Sequence, residues 1–530
     1  MEVVEYIYLL ALVAIVVVLI LHRLIRAVSS WSTLPIPCLG HRSVRHILLS
    51  YLAFPSVPTR FLGTDSLSPL RIIILILFVA GTGACNFVHV DNLLQASQRA
   101  AHICLVLLIP LFLSGGREFP ARLLGISLET YGFIHRMVGL MSVVQATIHV
   151  VIISRHVTFD VSHPTHLNGL LGGCMLLSLL FLPMIKRRMY EAFLVQHLAS
   201  AITGLIAIWK HIQPTSTQSH WWFISCVSAF SFTSVLQMIR ILYRNFVFGR
   251  KSVRMSVKIH AEDIVHVRLS LPRPWIVRAG ERINLGVPSL GVFYFFQTHP
   301  FTVTWWEEDE HGHALSIALM FRSRTGFTRK LRECINPDQD YWAWIDGPFG
   351  PSLVQECGFA QDVSDYGHIL MVTSGIGIAA QLPYIKELLQ RRHRAEVRTQ
   401  RISLVWRLDR AGDWESARDW LQQLVEQDKG YMLEVTVYNP PDDNSVQQSH
   451  TVGEHKLITI IDDEVSWEQV FLSEKAKQKG KLLVTVSAQR RIRREMQKLV
   501  RESIRHNVEL FELEFQPWRE GRDWWSFLTP

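Results

Sequence analysis

The sequence predicts a seven-helix membrane bundle, followed by a small antiparallel β-barrel and an α/β domain. Hydrophobic residues make up 49% of the 530 residues. They concentrate before about residue 247, in stretches long enough to cross a lipid bilayer. From about Val253 the hydrophobic period changes from that of a helix to that of a strand, and strands then alternate with helices. We therefore expect three domains, at residues 1–247, 248–365 and 366–530.

The membrane half contains seven apolar stretches of spanning length, at residues 6–22, 70–90, 101–114, 131–153, 167–185, 193–212 and 221–243. The third is the weakest because it is short and contains Pro110, and it could begin earlier. The first has acidic residues before it, basic residues after it and no small-residue cleavage site, which favours a retained anchor over a removed signal peptide.

Lysine and arginine predict the orientation of the bundle. They follow the first, third, fifth and seventh stretches, and the alternate loops are poor in them. Because basic loops stay on the cytoplasmic side, we expect the amino terminus outside and everything after about residue 247 in the cytoplasm. These loops supply much of the net charge of +8, so we expect no nucleic-acid partner. The seven cysteines are scattered with no C-x-x-C pair, which disfavours a disulfide framework or a zinc site.

Four histidines in two apolar stretches have one common spacing. His135 and His149 lie fourteen residues apart, and so do His197 and His211. Fourteen residues are close to four helical turns, so each pair projects from nearly one face, roughly 21 Å apart along the axis. One apolar stretch separates the two helices, so both cross in the same direction. His135 can then face His197 near one leaflet, and His149 can face His211 near the other.

Two imidazoles that face each other across a gap predict a bis-imidazole site for haem iron, and two such sites would carry electrons across the bilayer. A lone histidine in a helix is more often a structural hydrogen-bonding group, but four in this arrangement favour haem. Gly139 lies one turn from His135, and Ser142 and Gly204 lie midway between the ligand positions. Small residues at these positions would leave space for a flat macrocycle. Ordinary small-residue helix packing explains them equally well.

The second half contains strand patterns and a glycine turn. Alternating apolar residues from Val253, with Gly/Pro turns up to about residue 350, predict the barrel. A buried strand, His368–Thr373, is followed by a Gly-x-Gly turn and a helix, where backbone N–H groups could bind a dinucleotide's pyrophosphate. Further strands near 402–406, 433–438 and 481–487 predict an α/β nucleotide-binding domain. The polar segment 439–452 between them predicts a surface loop.

Seven motifs, in this order and spacing, carry a resemblance to a known family. They are HRMVG at His135–Gly139, RRMYEAFLVQH at Arg187–His197, HPFTV at His299–Val303, RTGFTRKL at Arg324–Leu331, DGPFG at Asp346–Gly350, SGIGIAAQLPYIK at Ser374–Lys386 and EFQPW at Glu514–Trp518. From about Leu70 onward the chain resembles the fungal ferric reductases of the NADPH oxidase/ferric reductase flavocytochrome b superfamily. The resemblance implies a ferredoxin-reductase-like module after the bundle.

The resemblance also implies roles for individual residues. His135 and His197 would bind the cytoplasm-side haem b, and His149 and His211 the outer one. FAD would be held by the HPFTV residues, with Thr302 near the reactive flavin edge: His299, Pro300, Phe301, Thr302 and Val303. Gly326, Phe327 and Thr328 would help to hold the FAD pyrophosphate, and Ser374, Gly375 and Gly377 the NADPH phosphates. We expect no catalytic side chain, because the cofactors carry the redox chemistry. Many relatives have Cys-Gly-Pro where this chain has Ser487-Ala488-Gln489.

The predicted function is transmembrane NADPH-dependent reduction of ferric chelates, with cupric chelates as a second substrate. Electrons would pass from NADPH through FAD and two haems to extracellular or lumenal metal, and the product would feed a separate metal importer. Family habit favours the plasma membrane, although an internal membrane fits equally well.

One alternative is a superoxide-producing NADPH oxidase. Relatives that make superoxide usually have one residue less between the second pair of ligands, whereas both pairs here are fourteen apart. A non-enzymatic haem sensor or receptor is a remote alternative, because it leaves the flavin and nucleotide motifs unexplained.

Other candidates each have a simpler explanation. Haem propionates could pair with three arginines near the inner leaflet, although plain positive-inside orientation also explains them: Arg117, Arg122 and Arg136. Outer-loop side chains could dock a metal chelate or belong to a solvated loop: His156, Asp160, His163 and His166, with His220 and Asp91 in other loops. Arg407 or Arg410 could hold a 2′-phosphate or form a surface salt bridge. The terminal aromatic residues could shield the flavin or anchor a core: Trp524, Trp525 and Phe527.

Overall fold

A computed structural model describes most of the chain. The described residues are 3–29, 68–113, 118–126, 128–185, 189–249, 252–260, 263–295, 297–324, 326–336, 339–350, 363, 366–440, 449–452, 457–503 and 506–513. They form two compact units, Met1–Met238 and Ile239–Pro530.

The first unit is helical. Its helices are α1 (Val3–Ser29), α2 (Pro69–Phe87), α3 (Leu93–Leu111), α4 (Glu118–Leu124), α5 (Leu128–Ile153), α6 (Pro164–Phe181), α7 (Tyr190–His211) and α8 (Thr217–Asn245). Within the described residues, seven of these helices are long and apolar enough to span a membrane, and only the short α4 is not. The predicted seven-helix membrane bundle is confirmed.

Helix α3 begins at Leu93, earlier than the predicted 101. Asn92 caps it, because its side-chain oxygen accepts a hydrogen bond from the Gln95 backbone N–H at 2.8 Å. Its first turns contain the polar residues Ser97 and Arg99, which lowered the hydropathy of this stretch. Both are buried inside the bundle. Arg99 donates hydrogen bonds to backbone carbonyls at the end of α2, including that of Cys85 at 3.0 Å. Arg99 can therefore lie within the spanning helix, because its guanidinium forms hydrogen bonds inside the bundle.

Small residues bring α6 and α7 close together. A Cβ atom added at Gly172 would lie 3.1 Å from Cγ1 of Ile208, and one added at Gly204 would lie 3.1 Å from Cβ of Met175. Such close approach is typical of membrane helices, because lipid gives little hydrophobic drive for helix association and packing must supply it.

The second unit begins with an antiparallel sheet of seven strands: β1 (Arg254–His260), β2 (Ile264–Trp275), β3 (Arg282–Gly286), β4 (His299–Glu308), β5 (Ala314–Arg322), β6 (Tyr341–Trp342) and β7 (Trp344–Phe349). Their order is β6-β1-β2-β5-β4-β3-β7. The two edge strands, β6 and β7, are separated in the chain by Ala343 alone. The sheet therefore curls toward a barrel, as predicted, and within the described residues the outer edge of β7 pairs with no strand. Two short helices accompany it, α9 (Val292–Phe295) and α10 (Phe327–Cys334).

The rest of the unit is an α/β domain. Its strands are β8 (His368–Ser374), β9 (Arg401–Arg407), β10 (Leu433–Asn439), β11 (Ser449–Val452), β12 (Ile458–Asp462), β13 (Leu482–Ser487) and β14 (Val508–Glu512). The helices are α11 (Ile378–His393), α12 (Arg418–Gln427), α13 (Trp467–Ala476) and α14 (Arg490–Ser503). The strand order is β11-β12-β10-β9-β8-β13-β14, with only the β11 pairing antiparallel. The order reverses between β8 and β13, so their carboxyl ends flank the crevice where such domains bind ligands.

The predicted surface loop over 439–452 is wrong at both of its ends. Asn439 is the last residue of β10, and Ser449–Val452 forms the edge strand β11, which pairs with β12. β11 lies at the sheet edge and is largely exposed. Its sequence therefore has no alternating hydrophobic pattern from which the strand could have been predicted.

Candidate functional site

The four histidines of the bundle form two pairs. The rings of His135 on α5 and His197 on α7 have centroids 6.2 Å apart and planes inclined by 50°. The rings of His149 and His211, on the same two helices, also have centroids 6.2 Å apart, with planes inclined by 73°. The equal fourteen-residue intervals therefore produce two equivalent gaps at two levels of one helix pair.

Each gap fits a metal ion with two axial imidazoles. A metal–nitrogen bond of about 2.0 Å, with each ring centre about 1.2 Å behind its nitrogen, would separate the two centroids by about 6.4 Å. Both observed separations are close to this value. The residues present thus fit the iron of a bis-imidazole haem.

Backbone carbonyl groups orient the rings of the second pair. Nδ1 of His149 lies 3.1 Å from the carbonyl oxygen of Ser97, and Nδ1 of His211 lies 2.8 Å from that of Thr165. A carbonyl oxygen can only accept, so Nδ1 of each ring carries the proton and Nε2 keeps its lone pair for a metal. Gly169 allows this arrangement, because a Cβ atom there would lie 2.6 Å from Nδ1 of His211.

The small residues near the ligand positions make helix contacts. The carbonyl of Ser142 accepts a hydrogen bond from the Cys104 thiol of α3 at 3.3 Å. Gly204 faces Met175 of α6, and a Cβ atom at Gly139 would contact Leu111 at 3.8 Å. These contacts support the helix-packing explanation of all three residues.

The HPFTV strand of the barrel lies against the start of α10. His299 stacks on Phe327 with centroids 4.0 Å apart, and Phe301 lies 6.1 Å from the same ring. Burial lowers the pKa of His299 to about 4, so this imidazole is neutral near pH 7. Pro300 pairs across the sheet with Asn284, and the Val303 N–H donates to the carbonyl of Glu281 at 2.9 Å.

The side chain of Thr302 has an unused polar atom. Its side chain is 6% exposed, and its hydroxyl makes no hydrogen bond to any described residue. A buried hydroxyl without a partner is costly, so this position suits a polar edge of a bound cofactor. Arg282, opposite Thr302 in the sheet register, is also buried. We did not predict Arg282 from the sequence; a charge at an inward-facing strand position is the signal that could have indicated it.

A glycine turn precedes α10. Gly326 has φ 66° and ψ −129°, a conformation that only glycine adopts readily. Its carbonyl accepts the Lys330 N–H at 3.0 Å, and the Thr328 hydroxyl accepts the Arg324 N–H at 3.0 Å. The first turn of α10 therefore presents backbone N–H groups beside His299 and Phe327, as a phosphate would require.

The second glycine turn lies at the carboxyl end of β8. Gly375 has φ 49°, and a Cβ atom there would lie 2.0 Å from a carboxylate oxygen of Asp409. A Cβ atom at Gly377 would lie 1.9 Å from the carbonyl oxygen of Ser487 at the end of β13. The Ser374 hydroxyl accepts the Gln489 N–H at 2.9 Å. The turn is thus held between β9 and β13, at the point where the strand order reverses.

Two side chains at this edge complete the site. The Ser487 hydroxyl is buried and makes no hydrogen bond within the described residues. Burial raises the pKa of Asp409, which lies two residues beyond β9. We did not predict Asp409 from the sequence, although an acidic residue just after the second strand of such a domain is a known ribose-binding signal.

The other residues considered in the sequence as candidates for phosphate, metal or flavin contacts lie in several parts of the chain. Arg410 lies 3.7 Å from Asp263, which supports a salt bridge. His163 and His166 have ring centroids 5.0 Å apart, and Nδ1 of His166 accepts the Asp160 N–H. Among the described side chains, no three of His, Cys, Asp or Glu are arranged to hold a metal ion. Arg117, Trp524, Trp525, Phe527 and the Glu514–Trp518 motif lie outside the described residues.

Three family models match the chain in sequence. The ferric reductase like transmembrane component matches residues 100–208, an FAD-binding domain matches 249–353, and the ferric reductase NAD binding domain matches 366–505. The chain is therefore similar to ferric reductases in both its transmembrane region and its nucleotide-binding region. The transmembrane match contains His135, His149 and His197, and it ends three residues before His211.

Similar curated proteins are fungal members of the ferric reductase family. The chain is 22% identical over 300 residues to ferric/cupric reductase transmembrane component 2 of Saccharomyces cerevisiae, covering 54% of this chain and 38% of that protein. It is 24% identical over 326 residues to the probable cell surface ferric reductase kap2 of Aspergillus oryzae, covering 56% of this chain and 41% of that protein. The chain thus spans well under half the length of these relatives.

Proposed function

We propose that this chain is a transmembrane ferric-chelate reductase that uses NADPH, with cupric chelates as a second substrate. Electrons would leave NADPH, pass through FAD and two haems b, and reach metal on the opposite side of the membrane. In this proposal residues 1–247 bind the haems, 248–365 bind FAD and 366–530 bind the nucleotide. The observation that carries it is the presence of two equally spaced imidazole pairs in the spanning helices of a chain that also has flavin and nucleotide domains.

The protein's own contribution is position and polarity. When bound, FAD would convert the two-electron hydride of NADPH into single electrons that haem can carry. His135 and His197 would hold one haem, and His149 and His211 the other, with the carbonyls of Ser97 and Thr165 fixing the second pair. The buried hydroxyl of Thr302, which has no partner among the described residues, would be available to hydrogen-bond the flavin.

The nucleotide would bind across the ends of β8, β9 and β13. Gly375 and Gly377 let the turn pack closely against Asp409 and Ser487. The turn leads into α11, whose first backbone N–H groups would bind the pyrophosphate. NADPH rather than NADH is proposed because Arg407 ends β9 and Arg410 follows it, close to where a 2′-phosphate would lie. Asp409 between them works against that phosphate, so the preference can be tested directly. Arg410→Ala should raise the KM for NADPH and leave that for NADH unchanged; an equal change in both would contradict the assignment.

We further propose that the chain resides in the plasma membrane. Its amino terminus would face outward and its flavin module would lie in the cytoplasm. The distribution of lysine and arginine supports this sidedness. Reduced metal would then be released beside an importer that takes it up.

A paired assay on intact cells tests the function. We would measure Fe²⁺-chelate formation outside cells expressing the chain, with and without superoxide dismutase. Direct metal reduction predicts a rate that the dismutase does not change. Inhibition by the dismutase would instead show that oxygen takes the electron first. The purified chain should contain two haems b per polypeptide in its reduced-minus-oxidised spectrum; a sample without b-type bands would contradict the proposal.

A further inference from the structure

The last turns of helix α8 make an unusual set of contacts. This helix runs without interruption from Thr217 to Asn245, and its residues from Ile239 belong to the second unit. The arginines near its end were explained from the sequence by positive-inside orientation alone. In the structure they contact the barrel, at the DGPFG motif for which the resemblance suggested no role.

Asn245 closes the open edge of the barrel. It is 1% exposed, and its side-chain oxygen accepts the Ile345 N–H at 2.8 Å while its NH₂ group donates to the Ile345 carbonyl at 2.6 Å. A strand edge normally presents such groups to a neighbouring strand. Here a single amide at the end of a helix takes the neighbour's place, which fixes both the position and the direction of β7.

Arg240 holds the same strand one turn earlier on the helix. Its guanidinium forms an ion pair with Asp346, whose side chain is 2% exposed, and it lies 4.4 Å above the ring of Phe349. Both partners belong to the DGPFG motif. A buried carboxylate needs its cation, and removing one member of such a pair is strongly destabilising locally. A planar guanidinium can pair with Asp346 and stack on Phe349 at the same time, which a lysine ammonium group would do less well.

Arg244 makes the third attachment. It follows Arg240 by four residues and so projects from the same helix face. Its guanidinium lies 4.5 Å above the ring of Trp275, and it donates to the carbonyl of Arg273 at 3.2 Å. Contacts to both β2 and β7 restrict rotation as well as translation of the barrel about the helix end.

We propose that Arg240, Arg244 and Asn245, together with Asp346 and Phe349, form a positioning joint for electron transfer out of the flavin barrel. This inference rests on the proposed function. The rate at which a flavin bound to the barrel would deliver electrons to the haem-binding helices depends on how the barrel is positioned. The residues of the joint touch no cofactor, so they are positioning residues. A displacement of about 1 Å far from the chemistry can slow a step by as much as about a hundredfold.

The test separates two steps in the purified full chain. Stopped-flow mixing with NADPH would follow loss of flavin absorbance and appearance of reduced-haem bands. In Asn245→Ala and Arg240→Gln we expect flavin reduction within about twofold of the parent and haem reduction slowed about tenfold or more, with FAD and haem contents unchanged. Hydrogen exchange should accelerate in residues 239–245 and 344–349. Arg240→Lys, which keeps the charge and is the mildest change, should fall between the parent and Arg240→Gln.

The matched control is Arg268→Gln. Arg268 and Glu307 form an ion pair on the same barrel with both side chains more than half exposed, so its loss should change neither rate nor exchange. Unchanged haem reduction in Asn245→Ala and Arg240→Gln, despite faster exchange at the joint, would overturn the proposal. Loss of FAD with parallel decline of both rates would also overturn it, because the joint would then only stabilise the barrel. A parent chain without reducible haem would instead contradict the proposed function.

Discussion

The spanning bundle and the carboxyl-terminal module prepare their candidate sites by opposite means. The bundle uses four side chains of one type, carried by two helices and paired at 6.2 Å. The module relies mostly on backbone. Gly326 and Gly375 have positive φ, and Gly377 packs where a Cβ atom would collide with Ser487. Loss of a side chain should therefore destroy a bundle site, whereas gain of a methyl group should destroy a module site.

The difference follows from the physics of each environment. A lipid-facing helix satisfies its own backbone hydrogen bonds, so only side chains remain to bind a ligand. The ends of parallel strands and the starts of helices leave backbone N–H groups available, which suits phosphates. The two classes of site should thus respond differently to the same type of substitution.

The largest expected effect is that of His149→Ala. If His149 holds a haem, its removal should lower the haem content from two to one per polypeptide and reduce external metal reduction about a hundredfold or more. NADPH should still reduce the flavin at the parent rate, as stopped-flow absorbance would show. His156→Ala is the control for haem content, because this nearby histidine is exposed and its ring bonds, among the described residues, to the carbonyl of Ile152. Retention of two haems in His149→Ala would refute its assignment as a ligand.

The corresponding change in the module is Gly377→Ala. A Cβ atom 1.9 Å from a backbone oxygen cannot be accommodated unless β8 and β13 separate. NADPH-driven flavin reduction should fall about a hundredfold, because the nucleotide would be displaced by an ångström or more. The dithionite-reduced haem spectrum should be unchanged. Gly412→Ala is the control, since nothing lies within 4 Å of a Cβ atom there. Equal flavin reduction in both variants would show that the turn does not hold the nucleotide.

The same contrast explains how much the sequence could reveal. The histidine pairing was predictable because a helix converts a fixed sequence interval into a fixed geometry. The number of residues between His135 and His149 was enough to predict that both project from one helix face. The barrel and the glycine turns were predictable from local patterns at His299 and Ser374. The contact of Gly375 with Asp409 was not, because it joins two strands whose register only the folded sheet sets.

Two further features escaped sequence reasoning for related reasons. The start of α3 was missed because Arg99 is polar and yet buried, and hydropathy does not show where a side chain finds its partners. The role of Arg240 was hidden because an arginine after a spanning helix already has a sufficient explanation in membrane orientation. Its pairing with Asp346 spans 106 positions of the chain.

Gly169→Ala tests whether a bundle site tolerates an added methyl group. The new Cβ atom would meet the imidazole of His211 at 2.6 Å, but a side chain can turn aside where a backbone cannot. We expect both haems to be retained, the midpoint potential of one of them to shift, and external reduction to fall about tenfold. Gly173→Ala, with nothing within 4 Å of its Cβ atom, should match the parent in a potentiometric titration. Loss of a haem from Gly169→Ala would break the contrast with the module.

The smallest effect on activity should come from Glu474, at the end of the module's sheet opposite the nucleotide turn. Its carboxylate accepts hydrogen bonds from His368 at 3.0 Å, from Arg401 at 3.1 Å and from the Ser403 hydroxyl. Burial alone would raise the pKa of Glu474, but these bonds outweigh it and hold the pKa well below its usual range. The charged form therefore stabilises the fold above the unfolded-state pKa of about 4.3, and this stabilisation is lost as the pH falls further.

Glu474→Gln should accordingly lower the stability of the module by about 3 kcal/mol at pH 7, with a difference that narrows below about pH 4. Thermal unfolding of the detergent-solubilised chain, followed by flavin fluorescence, measures this. Activity at 25 °C should be unchanged, because the nucleotide turn lies at the other end of the strands. Glu434→Gln removes a half-exposed partner of the same arginine and should cost less than about 1 kcal/mol. If both variants lost the same stability at every pH, the hydrogen bonds to the buried Glu474 carboxylate would not be the source of this stabilisation.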